Sequence, residues 1–143
     1  MNFLFKINKL LPYFKKKSNL QCLEKILVVS NTGLGDTILS TPAIITLKKS
    51  FPETHITFLT HNKLFPLFKD FEYVDDVEIY KSGFFNQISI ILKLRKREID
   101  TIFLFHSNGP EDIFFSILSG ASNIFKMTDN LDHEFKECFS NMQ

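Results

Sequence analysis

The chain has 143 residues, 44% of them hydrophobic, and a formal net charge of +1 at pH 7. That length suits one domain with a real core and excludes two ordinary α/β domains, while the apolar fraction excludes a disordered chain. The charge is unevenly placed: residues 1–23 carry Lys6, Lys9, Lys15, Lys16 and Lys17 and no acid, which leaves 12 basic against 16 acidic residues in the remainder.

Phe3, Ile7, Leu10 and Phe14 fall along one helical stripe, with lysines on the other faces and a lysine cluster just after. Two readings stay open for this segment. Residues 1–17 lie on an anionic membrane surface, where each nearby Lys contributes about 1 kcal/mol, or they form a solvated extension, a reading favoured by the helix-weakening Pro12. They do not make a secretory signal, because lysines interrupt every apolar run and no small-residue cleavage site follows. No stretch approaches the roughly 20 apolar residues needed to cross a bilayer. Cys22 and Cys138 lie far apart without a CxxC or CxxH pairing, so neither a zinc site nor a disulfide framework is expected, and reduced thiols in a cytosolic compartment follow. The expected location is cytoplasmic, with the inner face of the plasma membrane as the option that residues 1–17 add. Residues 1–23 read as a basic amphipathic extension, with Ser18–Leu23 as its linker, and 24–143 as the folded domain.

The domain opens on KILVVSNTGLGDTILSTPAIITLKKS, Lys25 to Ser50. Ile26-Leu27-Val28-Val29 is a continuous apolar run, as in a strand buried on both faces of a parallel sheet. Gly33 and Gly35 then make a turn that permits positive φ and close approach of a ligand. Leu39, Ala43, Ile44 and Leu47 recur at helical spacing as a packing stripe, and Pro42 inside it predicts a bend. His55–Thr60 reads as a second strand, Asn62 as the cap of a short helix through Phe68, and Val77–Tyr80 as a short strand after Asp75-Asp76. Lys81-Ser82-Gly83 is a turn. Phe84–Arg97 is a helix with Ile88, Ile91, Leu92 and Leu94 as its apolar face and basic residues at its carboxyl end. Thr101–Phe105 is the clearest later strand. A polar loop, His106 to Asp112, follows it, then a helix from Ile113 to Leu118 closed by Gly120, a strand over Ser122–Met127 and a short helix over Asp132–Phe139. Strand and helix alternate along most of the chain, which argues for an α/β fold, a Rossmann-like parallel sheet sandwiched by helices.

The glycine turn does not fit a dinucleotide site. The third glycine of G-x-G-x-x-G is missing, the second strand ends Thr60-His61-Asn62 without an acid, and Asp36 faces the pyrophosphate position. A P-loop requires a lysine after the last glycine, and none follows Gly35. Taken alone, Asp36 reads as a helix cap, matched to the dipole.

Gly33-Leu34-Gly35-Asp36-Thr37 followed by Ser40-Thr41-Pro42-Ala43 resembles the opening motif of the heptosyltransferase-type glycosyltransferases, glycosyltransferase family 9, which act in lipopolysaccharide core assembly. The similarity continues through Phe51-Pro52-Glu53, Val74-Asp75-Asp76-Val77, Leu94-Arg95-Lys96, Ile99-Asp100-Thr101-Ile102 and Leu118-Ser119-Gly120-Ala121, covering about residues 25–127. The resemblance implies the amino-terminal, acceptor-side half of a GT-B enzyme, whose second Rossmann-like half takes a nucleotide-sugar of the ADP-heptose type. It assigns Asp36 as the general base that accepts the proton of the attacking acceptor hydroxyl. Gly33, Gly35 and Thr37 then stand on the acceptor side, with an anionic acceptor group meeting backbone N–H groups around Thr37. His106 and Asn108, in the loop after the fourth strand, are further acceptor-side candidates, although His-Ser-Asn-Gly-Pro departs from the family's Gln-Gly or His-Gly pattern. A strand-end His is also commonly just a hydrogen-bonded surface residue, and His55, His61 and His133 read as structural. No cofactor, metal or nucleic-acid partner is expected. The partners implied are a glycan or glycolipid acceptor and a nucleotide-sugar donor held by a second domain or chain, since a family member continues into a donor domain and this sequence ends at Gln143. A non-catalytic glycan- or partner-binding domain, docked on membrane, is the alternative.

Overall fold

The computed structural model describes residues 23–106 and 110–126. Residues 1–17, Cys22, Asn108, the helix expected at 132–139 with His133, and Cys138 lie outside the described residues.

Five parallel strands, β1 (Lys25–Ser30), β2 (His55–His61), β3 (Asp76–Tyr80), β4 (Thr101–Leu104) and β5 (Asn123–Lys126), form one sheet in the order β3-β2-β1-β4-β5. β1 is central, with Val28 opposite Phe58 on one side and Phe103 on the other. Its apolar run is continuous because both of its faces are covered. Leu27 and Val29 enter one cluster with Leu59, Ile102 and Leu104, while Ile26 and Val28 enter the other with Ile56 and Phe58. Fully burying each such side chain contributes about 1.5–3 kcal/mol, so this strand anchors both layers.

Helices α1 (Leu34–Leu39) and α2 (Thr41–Ser50) follow β1, and a 3₁₀ turn (Asn62–Leu64) runs into α3 (Phe65–Phe68) after β2. They supply Ile44, Leu47, Leu64 and Phe68 to the second cluster. α4 (Phe84–Arg97) follows β3 and α5 (Pro110–Ser119) follows β4, packing Ile90, Leu94, Ile113, Phe115 and Ile117 into the first. Gly83 precedes α4 at φ 110° and Gly120 ends α5 at φ 86°, both in the region that a side chain strains.

Several sequence expectations need correction. The interruption expected from Pro42 lies two residues earlier than Pro42 itself: the helix is broken at Ser40, and Pro42 sits in the first turn of α2, where its missing N–H is harmless. The Ile38 carbonyl near the break is met by the Thr41 hydroxyl at 2.7 Å. The buried stripe here is Thr37, Ser40 and Ile44 with Leu47 partly buried, and Leu39 is 70% exposed. Both hydroxyls are satisfied locally, Ser40 Oγ by the Asp36 carbonyl at 3.0 Å, so two short polar residues pack where a leucine was expected. On α4, Ile88 and Leu92 point outward instead of to the core. The turn after β2 is capped by His61, whose Nδ1 accepts the Lys63 N–H at 3.3 Å, and not by Asn62. Glu111 and Asp112 belong to the first turn of α5, not to the preceding loop. The structural reading of His55 holds: its Nε2 lies 3.0 Å from Asp76.

Candidate functional site

The connections leave β1 toward β2 and β3, then return across the sheet to β4. At such a reversal of strand order the two loops diverge and open a crevice beyond the carboxyl ends of the strands, where ligands of open α/β sheets bind. Among the described residues its walls are the segment 31–36 after β1 and Phe105-His106 after β4.

The first wall is held from beneath. Ser30 and Thr37 are fully buried, and Ser30 Oγ donates to Thr37 Oγ1 at 3.2 Å. Thr37 in turn donates both its hydroxyl (3.0 Å) and its N–H (3.1 Å) to the Gly33 carbonyl. Thr37 is therefore engaged within the turn, and its side chain faces the core. Gly33 takes the N-cap position in extended backbone, φ −67° and ψ 164°, and no side chain caps α1. This sets aside the capping role for Asp36, which stands third in the helix. Its carboxylate is half-buried and has no hydrogen-bond or ion-pair partner among the described residues. Neither Gly33 nor Gly35 has positive φ, so the turn does not need them for its conformation. A Cβ at either would meet nothing within 4 Å. What the two glycines leave is open space beside Asp36.

The second wall starts at Phe105, whose N–H donates to the Val29 carbonyl at 2.9 Å as the last β4–β1 link. His106 follows at φ 48°, a left-handed conformation that a non-glycine residue adopts infrequently and that concentrates at functional sites. It is half-buried, one residue beyond the strand pairing, on the same rim as Asp36.

Two features of this region have no signature in the sequence. Thr32, between β1 and the glycine turn, has a buried hydroxyl with no hydrogen-bond partner among the described residues. Tyr80, at the carboxyl end of β3, donates its hydroxyl to Glu111 in the first turn of α5, which pins the start of that helix after the loop. Burial, and then the Glu111 carboxylate, push the phenol well above its ordinary value, so it stays a donor. Thirty-one residues separate the pair, so no spacing rule brings them together. Among the described residues no three His, Cys, Asp or Glu side chains are grouped to hold a metal ion. A hollow of about 290 Å³ lies between β3 and α4, lined by Glu78, Lys81, Lys93 and Asn86 among others; Lys93 and Glu78 form an ion pair there (3.0 Å).

Neither a protein-family model nor a curated protein matches the sequence. Among solved structures, the chain is similar to the glycosyl transferase family 9 protein from Veillonella parvula, with a TM-score of 0.67 and 23% identity over 83% of this chain and 36% of that one. It is also similar to the E. coli ADP-heptose lipopolysaccharide heptosyltransferase II, with a TM-score of 0.62 and 20% identity over 71% of this chain and 30% of that one. The fold is shared. At these identities the likeness establishes the Rossmann-like architecture, in agreement with the sequence expectation, and the chain spans about a third of the length of each transferase.

Proposed function

We propose that the chain is the acceptor-binding half of a sugar transferase of the heptosyltransferase type, working in the cytoplasm on a lipopolysaccharide-core or related glycan acceptor. The observation that carries this reading is the half-buried Asp36 carboxylate without a protein partner, beside open space at the strand-order reversal. A carboxylate so placed takes a proton from an acceptor hydroxyl as that oxygen bonds to the anomeric carbon and the nucleotide diphosphate departs. Gly33 and Gly35 keep the approach clear, Thr37 holds the turn from below, and His106 contacts sugar hydroxyls from the other wall, with Asn108, outside the described residues, as a further acceptor contact. The donor, a nucleotide-sugar of the ADP-heptose type, is held by a second domain or chain. Residues 1–17 keep the protein at the inner face of the plasma membrane.

The test is Asp36→Asn in the complete enzyme. Intact mass of the native polypeptide decides whether the donor half is on this chain or on a partner to be supplied. Transfer is expected to fall by about 10²–10⁴-fold, the usual range for loss of a general base, with circular dichroism unchanged. Transfer near the wild-type rate would remove Asp36 from the mechanism.

A further inference from the structure

α4 has two apolar faces. Ile90 and Leu94 point into the sheet, with Ile91 packed beside them. On the opposite side Phe85 is 84% exposed, Phe84 69%, Leu92 61% and Ile88 38%. At 3.6 residues per turn, Phe85 and Leu92 lie within about 20° of the direction pointing straight away from the midpoint of Ile90 and Leu94. A surface helix ordinarily places charged and polar residues there. The two phenylalanine rings stack edge-on at 5.8 Å on this outer surface.

The charges carried by the helix itself are all of one sign. Phe84–Arg97 reads FFNQISIILKLRKR, with four cations and no acid. Lys93 and Arg97 are committed to acids of β3: Lys93 to Glu78 at 3.0 Å, Arg97 to Asp76 and to Glu78 at 2.7 Å each. Arg95 gives its Nε hydrogen to the Leu118 carbonyl, which leaves its charge uncompensated. Lys81, just before the helix, and Lys96, near its end, have no acid partner among the described residues. The stripe is one helix wide and, for 14 residues, about 20 Å long, well short of the roughly 800 Å² that a stable protein interface covers on each partner.

We propose that α4 is a membrane-docking helix that lies along an anionic bilayer surface. Phe84, Phe85, Ile88 and Leu92 enter the boundary between headgroups and acyl chains, while Lys81, Arg95 and Lys96 meet lipid phosphates. Burial of the stripe and attraction to anionic lipid act together, as in interfacial amphipathic helices. This contact is separate from residues 1–17 and stands whether or not Asp36 is a base. Only one consequence rests on the transferase reading: α4 starts at the rim that carries Asp36, so immersing Phe84 and Phe85 brings the crevice to the lipid surface, where a glycolipid acceptor resides.

The chain contains no tryptophan, so Phe85→Trp is a single fluorescent reporter on the stripe, and Phe51→Trp is its control on the far rim. With phosphatidylcholine vesicles containing phosphatidylglycerol, F85W emission is expected to shift to the blue and to be quenched by lipids brominated on their acyl chains. F51W does neither. Lys96→Gln lowers the partition coefficient about fivefold, the equivalent of one lysine at the surface. Sedimentation with vesicles while F85W stays unshifted would assign binding to another segment and overturn the proposal, as would no binding at all. A blue shift of F85W without lipid, together with dimers in sedimentation velocity, would overturn it in favour of a second copy of the chain. Asp36→Asn is expected to bind vesicles like the wild type, so a failure of this proposal is distinguishable from a failure of the transferase reading.

Discussion

At one rim of the sheet the acids near the strand ends are bound into the fold; at the other, Asp36 has no partner. Along the amino rim, Asp100 Oδ2 accepts the N–H groups of Glu24 and Lys25 at 2.9 and 2.7 Å. Asp75 accepts the Ile56 N–H at 2.7 Å and pairs with Lys48 at 2.9 Å, and Asp76 pairs with Arg97 at 2.7 Å and His55 at 3.0 Å. Each of these three acids stands just before a strand or opens it, and each ties that strand to a neighbouring strand or helix. On the carboxyl rim, Asp36 stands in the first turn of α1, where its charge matches the helix dipole, but no side chain or N–H group among the described residues bonds its carboxylate. All four belong to motifs that carry the same family resemblance. The partner that each carboxylate finds, not the motif it sits in, separates a clasp from a candidate catalytic group.

Exchanging acids on the two rims tests this contrast. The largest effect is expected at Asp36, where the Asp36→Asn loss of about 10²–10⁴-fold in transfer comes with a change in urea stability within about 0.5 kcal/mol. The opposite signature is expected at Asp100. Asp100→Ala removes two hydrogen bonds to a carboxylate and lowers unfolding free energy by about 1.5–3 kcal/mol, measured by urea titration, while transfer per folded molecule is kept.

A pH series sharpens the same difference. For Asp75, burial pulls its carboxyl upward, but the Ile56 N–H, Lys48 and His55 together outweigh it and hold it below its ordinary value of 3.8. Asp76 follows the same pattern, with burial opposed by His55 and Arg97. A depressed folded-state pKa means that the unfolded chain takes up protons first as pH falls. The stabilisation is therefore complete above about pH 5 and is lost as pH drops through the ordinary carboxyl value and then the lower folded-state values. The urea midpoint should fall between about pH 5 and pH 2 in the wild type and fall less in Asp75→Asn.

At Gly35 a modest gain in stability is expected in place of a loss. A Cβ there meets nothing, and alanine restores up to about 1 kcal/mol of helix preference, so Gly35→Ala folds at least as well as the wild type. Its cost appears as a raised acceptor KM in transfer assays, if the open space is where the acceptor lies. An unchanged KM would move the acceptor away from this wall.

The strands were readable because β1, β2 and β4 are dense runs of β-branched and aromatic residues, and their alternation with helices led directly to a parallel layered sheet. Helix orientation was less readable. α4 carries apolar residues on nearly opposite sides, and periodicity alone does not say which side meets the sheet. Pro42 signalled an interruption of the first helix, but its buried stripe was hidden, since Thr37 and Ser40 satisfy their own hydroxyls and pack inward in place of Leu39. Asp36 was visible through its glycine turn and His106 through its place after a strand. Tyr80–Glu111 and the Asp100 clasp are long-range pairs between polar residues, with no local pattern to announce them.

The Asp100 clasp also bears on how the chain is made. β1 is synthesised first and sits in the middle, yet its partner on one side is completed only with β4, and the clasp closes over a separation of 75 residues. At about 5–20 residues per second, the ribosome leaves that edge of the most apolar strand bare for about 4–15 s. During that interval it is an open template for pairing with another nascent chain. Newly made copies are thus most vulnerable to one another before Asp100 emerges, and a chaperone that shields β1 over that window would raise the yield of folded protein more than one acting on the finished sheet.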